Sequence, residues 1–355
     1  MDIKQELQNF KIRFDIVLAR YLDDRIAETA AQDTFTADGL ERVKALILNG
    51  GKRLRPALTV WSYEGVGGKE TDAIIYAAMS VEIIHAFLLI HDDIMDRDAL
   101  RHGTTTLHAH YTKQLTSLLG TEKAMHAGNS IALVFGDIVN AIGNHALFSA
   151  DFDKERIFTA LMHLQNVISY TGMGQLKDIL FESGTKATVD DILAMYEYKT
   201  ARYTIESPLI LGAILAGAPE TLHTQIHAFA RPLGIAFQIR DDIIGLFGDE
   251  STIGKPVGSD ISEGKMTLLV ALAQNLASRN EQKMLMQLLG KKDLTRNDID
   301  TFRTIITTCG ARSAAQDRIV AYGAQSIDAL TQIAYDSRTQ ERLRALADYL
   351  MRRTA

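Results

Sequence analysis

Two short runs in the chain set aspartates side by side at the ends of long apolar stretches: His91-Asp92-Asp93-Ile94-Met95-Asp96 and Phe237-Gln238-Ile239-Arg240-Asp241-Asp242-Ile243-Ile244. On a helix Asp92 and Asp96 stand one turn apart on the same face, so their carboxylates can share a cation. Like charges at that spacing destabilise a helix, and carboxylates near a helix C-terminus oppose its macrodipole by about 0.3–1 kcal/mol each. Such an arrangement asks for compensation, and a hard divalent ion with oxygen ligands, above all magnesium bridging to a phosphate, supplies it. A solvated acidic helix end fits the first run, taken alone, equally well. The second run repeats the pattern far away in sequence, and two such ends facing each other would make a charged chamber. Paired carboxylates also suit a glycosidase, in which one acid and one base flank a sugar bond, but that chemistry leaves the basic residues unused.

Those basic residues begin with Asn49-Gly50-Gly51-Lys52-Arg53-Leu54-Arg55-Pro56, three cations beside paired glycines, ahead of a helical stretch whose first turn can contain Pro56. Lysine offers a point charge and arginine a fork of donors, so the turn suits a diphosphate. A flexible basic surface turn has the same composition, and the spacing of a Walker P-loop is absent. Lys199-Thr200, Lys255 in Gly254-Lys255-Pro256 and Lys265 in Glu263-Gly264-Lys265 are further candidates, each equally readable as a solvated lysine. His85 interrupts an apolar helix nearly two turns before Asp92; a hydrogen-bonded core histidine is the simpler reading, yet it lies within reach of the same cavity. Met79 and Phe87 read most simply as core, with one of them able to line a substrate channel.

Helices must position these groups. Among 355 residues only 5 are proline, and long proline-free stretches rich in Ala, Leu, Ile, Met, Glu and Lys favour helix over sheet. Apolar residues recur at helical spacing, as in Leu7, Phe10, Phe14, Ile16, Val17 and Tyr21, or Ile157, Leu161, Leu164 and Ile168. Breaks at 50–51, 65–68, 101–106, 184–188, 217–219 and 248–264 divide the chain into roughly a dozen helices. None resembles a low-complexity linker, so one large helical domain over 1–355 is expected, an all-α bundle around a central apolar cavity. Residues 73–90 are apolar on all sides apart mainly from Glu82 and His85, which marks a helix inside the bundle whose few polar groups need partners.

Composition excludes several classes. A hydrophobic content of 46% rules out a mainly disordered chain, and a net charge of −6 gives no long-range attraction to nucleic acid or an anionic membrane. Cys309, the single cysteine, cannot form an internal disulfide, and MDIKQELQNF lacks the apolar stretch of a secretory signal, so a cytoplasmic location is expected. Uninterrupted apolar runs such as 86–90 and 131–135 fall far short of the ~20 residues of a membrane span, and none is expected.

Taken together and in this order, GGKRLRP, VEIIHAFLLIHDDIMD, the following Arg101 and Gly103, GQLKD, Lys199-Thr200, and FQIRDD followed by GKPVGSDISEGK resemble the trans-polyprenyl diphosphate synthase family over roughly residues 40–270. The resemblance implies a chain-elongating prenyltransferase that condenses isopentenyl diphosphate with an allylic diphosphate, usually as a homodimer. It implies that Asp92, Asp96 and Asp241 ligate magnesium, three ions in all, with Asp93 and Asp242 in support. Arg101, Lys199 and Lys255 would grip the allylic diphosphate, and Lys52, Arg55 and His85 the isopentenyl diphosphate. Thr200 and Gln238 match groups that orient their dipoles toward a developing carbocation. Two positions depart from the family pattern: Gly245 stands where the second acidic motif usually has a third Asp, with Asp249 able to contribute through water, and His102 stands where most members carry an Arg.

Product length in this family is limited by side chains one or two turns before the first acidic motif. Phe87 lies five residues before Asp92 and is followed by Leu88. A single aromatic there, with nothing inserted in DDIMD, looks like the geranylgeranyl-producing pattern, whereas farnesyl synthases of the animal type usually have a second aromatic at the position of Leu88. A class I terpene cyclase uses similar helices and acidic motifs but only one diphosphate, which leaves GGKRLRP and His85 without a role. A non-catalytic subunit of a heteromeric synthase commonly loses acidic residues, and here the first motif is whole.

Overall fold

The chain is described here from a computed structural model at residues 1–69, 72–101, 103–248 and 258–353. Its contacts divide it into two compact units, the first made of Asp2–Glu64 and Gly68–Leu161 and the second chiefly of Met162–Ala355.

In the first unit, α1 (Ile3–Ala30) starts where the Asp2 carboxylate accepts from the Lys4 and Gln5 amides, meeting two of the orphan donors of a helix N-terminus. It buries a stripe of Leu7, Phe10, Phe14, Leu18 and Tyr21, while Ile16, expected on that stripe, points outward at 60% exposure. Helices α2 (Thr34–Leu48), α3 (Leu54–Gly65) and α4 (Asp72–Asp96) follow, then a two-residue hairpin of β1 (Leu100–Arg101) and β2 (Thr104–Thr105), then α5 (Leu107–Leu119) and α6 (Thr121–Phe148). The hairpin pairs Leu100 with Thr105 and Arg101 with Thr104, where the sequence offered only a break. Helix α4 is buried on all sides from Ala77 to Ile84, as its unrelieved apolarity required. It lies tight against α6 because α6 has glycines at the contact: a Cβ at Gly143 would meet Ile84 at 2.7 Å, and one at Gly136 would meet His91 at 2.2 Å.

Taken whole, α4 and α6 are long and apolar enough to cross a membrane by length and composition, a test that the core helix of a globular protein also passes. Scattered small residues and single polar positions shorten each run without lowering the mean. Of the most apolar window of α4, 56% is buried inside the protein, which is the pattern of a core helix.

Helix α7 (Lys154–Glu182) leads into the second unit, where α8 (Val189–Tyr196) opens with a capping box: the Thr188 hydroxyl accepts from the Asp191 amide and the Asp191 carboxylate accepts from the Thr188 amide. The chain then widens into a π-helical segment, Glu197–Glu206, before α9 (Ser207–Ala216) and α10 (Glu220–Phe247). After α11 (Ser259–Glu263) come α12 (Leu268–Leu276), α13 (Arg279–Leu288), α14 (Arg296–Thr308), α15 (Ala311–Leu330) and α16 (Ser337–Arg352). Ile192, Ile239, Leu268, Phe302 and Ile319 belong to one continuous apolar core. Among the described residues there are sixteen α-helices against the dozen expected, because breaks such as 31–33, 277–278 and 331–336 contain no glycine or proline.

Beside that core, His163 on α7 bonds through Nε2 with the Ser207 hydroxyl at 3.1 Å. Burial pulls its pKa down from 6.5 to about 4, against the opposing pull of Glu206. The ring is held neutral, so the stability tied to it is complete above the unfolded pKa near 6.5 and is lost as pH falls toward 4. The loss is expected to reach up to about 3 kcal/mol. His163→Gln should flatten the dependence of urea-unfolding free energy on pH between 6.5 and 4 relative to the parent chain; parallel curves would show that this histidine is not responsible.

Candidate active site

The first acidic run falls on the last turn of α4, where Asp92 and Asp96 stand one turn apart and partly exposed. Asp93 turns inward at 2% exposure. The helix stops at Arg97, whose φ of 60° is left-handed, and the hairpin then carries Arg101 back. The Arg101 guanidinium donates to Asp93 Oδ1 from Nε at 2.6 Å and approaches it with Nη2 at 2.5 Å. Burial raises the Asp93 pKa to about 6, with Arg101 opposing the rise. A paired, buried Asp93 thus leaves Asp92 and Asp96 as the outward carboxylates. Two hard oxygen donors one turn apart fit magnesium, which usually takes one or two carboxylates and completes its shell with water and substrate phosphate.

Upstream in the same unit lies a pocket bordered by Gly50, Gly51, Glu82, His85, Asp93 and Arg101. The glycine-rich turn, His85 of α4 and the arginine of the hairpin, far apart in sequence, are brought together there. Lys52 is exposed beside this turn, and Arg55 is half-buried in the first turn of α3. Arg53, between them, is turned into the protein: Nε donates to Asp15 at 2.6 Å, Nη1 to Glu82 at 2.7 Å and Nη2 to the Ile47 carbonyl at 2.7 Å. Burial alone would lower its pKa, but Glu82 and Asp15 outweigh burial and hold it above its usual value. One turn before the carboxylates, the Phe87 ring meets His91 edge to face at 4.9 Å, and His91 Nε2 donates to the Leu133 carbonyl at 3.1 Å. Leu88 is half-buried beside it.

In the second unit the functional groups gather around the π-helical segment. Its wide turn is wedged where glycines leave room: a Cβ at Gly174 on α7 would stand 2.4 Å from the Lys199 amide nitrogen, and one at Gly234 on α10 would stand 2.4 Å from Ala201 Cα. Lys199 Nζ pairs with Asp178 at 2.6 Å, so Gly174-Gln175-Leu176-Lys177-Asp178 contributes both the room and the counter-charge. The Thr200 hydroxyl donates to Gln238 Oε1 at 2.8 Å, and Gln238 Nε2 donates to Asp242 Oδ1 at 3.0 Å. Asp242, at 5% exposure, also accepts from the Tyr196 hydroxyl, which in turn accepts from the Leu268 amide at 2.8 Å. Burial lifts the Asp242 pKa to about 7 despite these donors, and burial together with Asp242 raises Tyr196 well above the usual phenol value. A pocket is bordered by Asp178, Lys199, Thr200, Gln238, Asp242 and Lys265. Lys265 also pairs with Glu263 at 2.8 Å.

Asp241 faces the other way, with 36% of its side chain exposed and paired with Arg353. The Arg353 guanidinium lies 4.3 Å from the centre of the Phe237 ring, and burial, with Arg240 adding to it, brings its pKa down to about 10. A Cβ on Gly245 would stand 3.1 Å from Asp260 Oδ2, so a carboxylate from α11 borders the place where the second acidic motif has no side chain. His102, Asp249 and Lys255 lie outside the described residues.

Residues 39–306 match the family model described as Polyprenyl synthetase. The chain belongs to this family. Among similar polyprenyl synthetases, the geranylfarnesyl diphosphate synthase of Aeropyrum pernix is 34% identical over 343 residues, covering 95% of this chain and 99% of that protein. The geranylgeranyl diphosphate synthase of Saccharolobus solfataricus is 33% identical over 311 residues, covering 87% of this chain and 88% of that one. The crystal structure of a geranylgeranyl pyrophosphate synthase from Corynebacterium glutamicum, complexed with isoprenyl diphosphate and magnesium, superposes with a TM-score of 0.91 at 30% identity over 98% of this chain and 99% of that one. The chain is therefore a transferase of the prenyl diphosphate synthase type with that family's all-α fold.

Within this polyprenyl synthetase, sequence reasoning located the acidic runs, the glycine-rich turn and the Lys199-Thr200 pair, but not Asp15, Tyr196, Asp260 or Arg353. Tyr196 had no signal beyond its helical spacing, since its partners lie 46 and 72 residues away. Asp178 and Asp260 lay inside segments already singled out. Tyr196→Phe leaves the Asp242 carboxyl and the Leu268 amide short of a buried partner, and is expected to lower stability by about 1–3 kcal/mol in a urea titration. An unchanged midpoint would mean that the bond contributes nothing to the fold.

Proposed function

We propose that this polyprenyl synthetase extends an allylic diphosphate with isopentenyl diphosphate and stops at geranylgeranyl diphosphate, using three magnesium ions. The observation that carries this reading is the end of α4, where two outward carboxylates follow a single aromatic, Phe87, with no second one at Leu88. Asp92 and Asp96, and in the second unit Asp241, are the side chains that would hold the metal. When bound, magnesium neutralises the leaving diphosphate and so favours ionisation of the allylic carbon–oxygen bond.

The chain's own groups do the rest. Lys52, Arg55 and His85 hold isopentenyl diphosphate by charge and hydrogen bonds, while Arg101, Lys199 and Lys255 hold the allylic diphosphate. The Thr200 hydroxyl and the Gln238 amide, tied together by their hydrogen bond, keep fixed dipoles near a developing carbocation, a preorganisation that costs nothing when charge appears. The isopentenyl double bond attacks the cationic carbon, forming one carbon–carbon bond. Loss of a proton to the departing diphosphate restores a double bond, so no protein nucleophile is needed. Apolar walls exclude the water that would quench the cation. The chain acts as a homodimer, a reading supported by the exposure of Leu118, Met125, Leu133 and Val134 at 78%, 52%, 43% and 57%.

Purified protein given magnesium, isopentenyl diphosphate and farnesyl diphosphate is expected to sediment as a dimer and yield geranylgeranyl diphosphate. A hydrocarbon product would indicate a cyclase, and no elongation without another protein a non-catalytic subunit. Asp92→Ala and Asp241→Ala should each lower turnover by roughly 10²–10³-fold or more while leaving the far-ultraviolet circular dichroism intact. Phe87→Ala should shift the products to longer chains; an unchanged product length would remove Phe87 as the limit.

A further inference from the structure

The glycine-rich turn carries cations of two kinds. Lys52 is exposed and Arg55 half-buried, whereas the Arg53 side chain is 1% exposed. Each of its three guanidinium nitrogens donates to a protein oxygen: Asp15 on α1 at 2.6 Å, Glu82 on α4 at 2.7 Å and the Ile47 carbonyl in the last turn of α2 at 2.7 Å. Lys11 adds a second cation to the cluster, 2.5 Å from Asp15 and 3.5 Å from the Gly50 carbonyl. One buried fork therefore ties three helices to one turn. Glu82 is itself only 6% exposed, and Arg53 is the partner its burial calls for.

The backbone at this point is unusual. Gly51 has φ of 76°, and Arg53, which has a Cβ, has φ of 53°. A left-handed non-glycine residue persists only where its surroundings over-determine it, and here the surroundings are the three acceptors of its own side chain. A Cβ on Gly51 would stand 2.7 Å from Arg53 Nη1, so the glycine also clears the path of the guanidinium.

We propose that Arg53 is a positioning residue: held by Asp15, Glu82 and the Ile47 carbonyl, it fixes the left-handed 50–53 turn so that Lys52 and Arg55 present their charges to isopentenyl diphosphate, which Arg53 does not touch. This rests on the family reading of Lys52 and Arg55. It gives Asp15 on α1 and Glu82 on α4 a part in binding isopentenyl diphosphate through the turn that Arg53 fixes.

The test separates positioning from direct contact by the sign of an effect. If Arg53 bound the diphosphate itself, removing its neighbouring anions would leave affinity unchanged or raise it. If it positions the turn, Asp15→Asn combined with Glu82→Gln should raise KM for isopentenyl diphosphate by roughly 10–100-fold. Under that role kcat and KM for the allylic substrate stay within about threefold. Arg53→Lys keeps the charge but loses the fork, and should show the same split; retained affinity in that variant, or tighter binding in the double variant, overturns the proposal. Asp15→Asn alone, at a position with a 20% exposed side chain, serves if the double variant does not fold. Hydrogen exchange at amides 50–53 supplies a readout independent of activity, and should rise in every one of these variants. Should the parent protein neither bind nor elongate isopentenyl diphosphate, the enzyme reading fails, while unaltered exchange at 50–53 refutes the clamp in its own right.

Discussion

Helices α4, α7 and α10 carry ionisable groups into surroundings where water is scarce, and an isolated charge there costs several kcal/mol unless an opposite charge or several donors meet it. Asp93 is met by Arg101, Glu82 by Arg53, Lys199 by Asp178, and Asp242 by Tyr196 and Gln238. These pairings, more than the apolar packing around them, decide which way each neighbouring side chain can point. The requirement to satisfy a buried partner fixes the rotamer and, with it, the register of the helix end.

Each acidic run is divided in the same manner by this requirement. In Asp92-Asp93, and again in Asp241-Asp242, the second carboxylate is buried and elevated in pKa, while the first stays partly exposed. The glycine-rich turn follows the same division, with Arg53 inward and Lys52 outward. Adjacent residues of one type on a helix necessarily point about 100° apart, so doubling an aspartate or a cation supplies one anchor and one working group. Chemistry at the outer group is then sited by an ion pair or hydrogen bond made by the inner one.

Much of this was legible in the sequence because it is local. The all-α class, the burial of α4, the helix end at Asp96 and the breaks at 50–51, 65–68, 184–188 and 217–219 follow from periodicity and from glycine and proline. What stayed hidden depends on distance in sequence or on subtle backbone geometry. Arg53 looked like a third phosphate ligand because nothing local shows that Asp15 and Glu82, 38 and 29 residues away, enclose it. Arg353 gave no signal, since one basic residue near the end of the sequence has no spacing that ties it to Asp241. The π-helical turn has the composition of any α-helix, and only the close approaches of Gly174 and Gly234 mark where it is needed.

That widened turn constrains how the gene can change. A π-helical segment spends more residues per turn than the α-helices on either side, so 197–206 holds surplus chain within an otherwise regular rod. Removing one codon there would not shorten a loop. It would change the rotation that the segment passes on to α9 and the chain feeding into α10. An insertion or deletion within 197–206 is therefore expected to displace Lys199 and Thr200 from Asp178 and Gln238, their partners on the neighbouring helices.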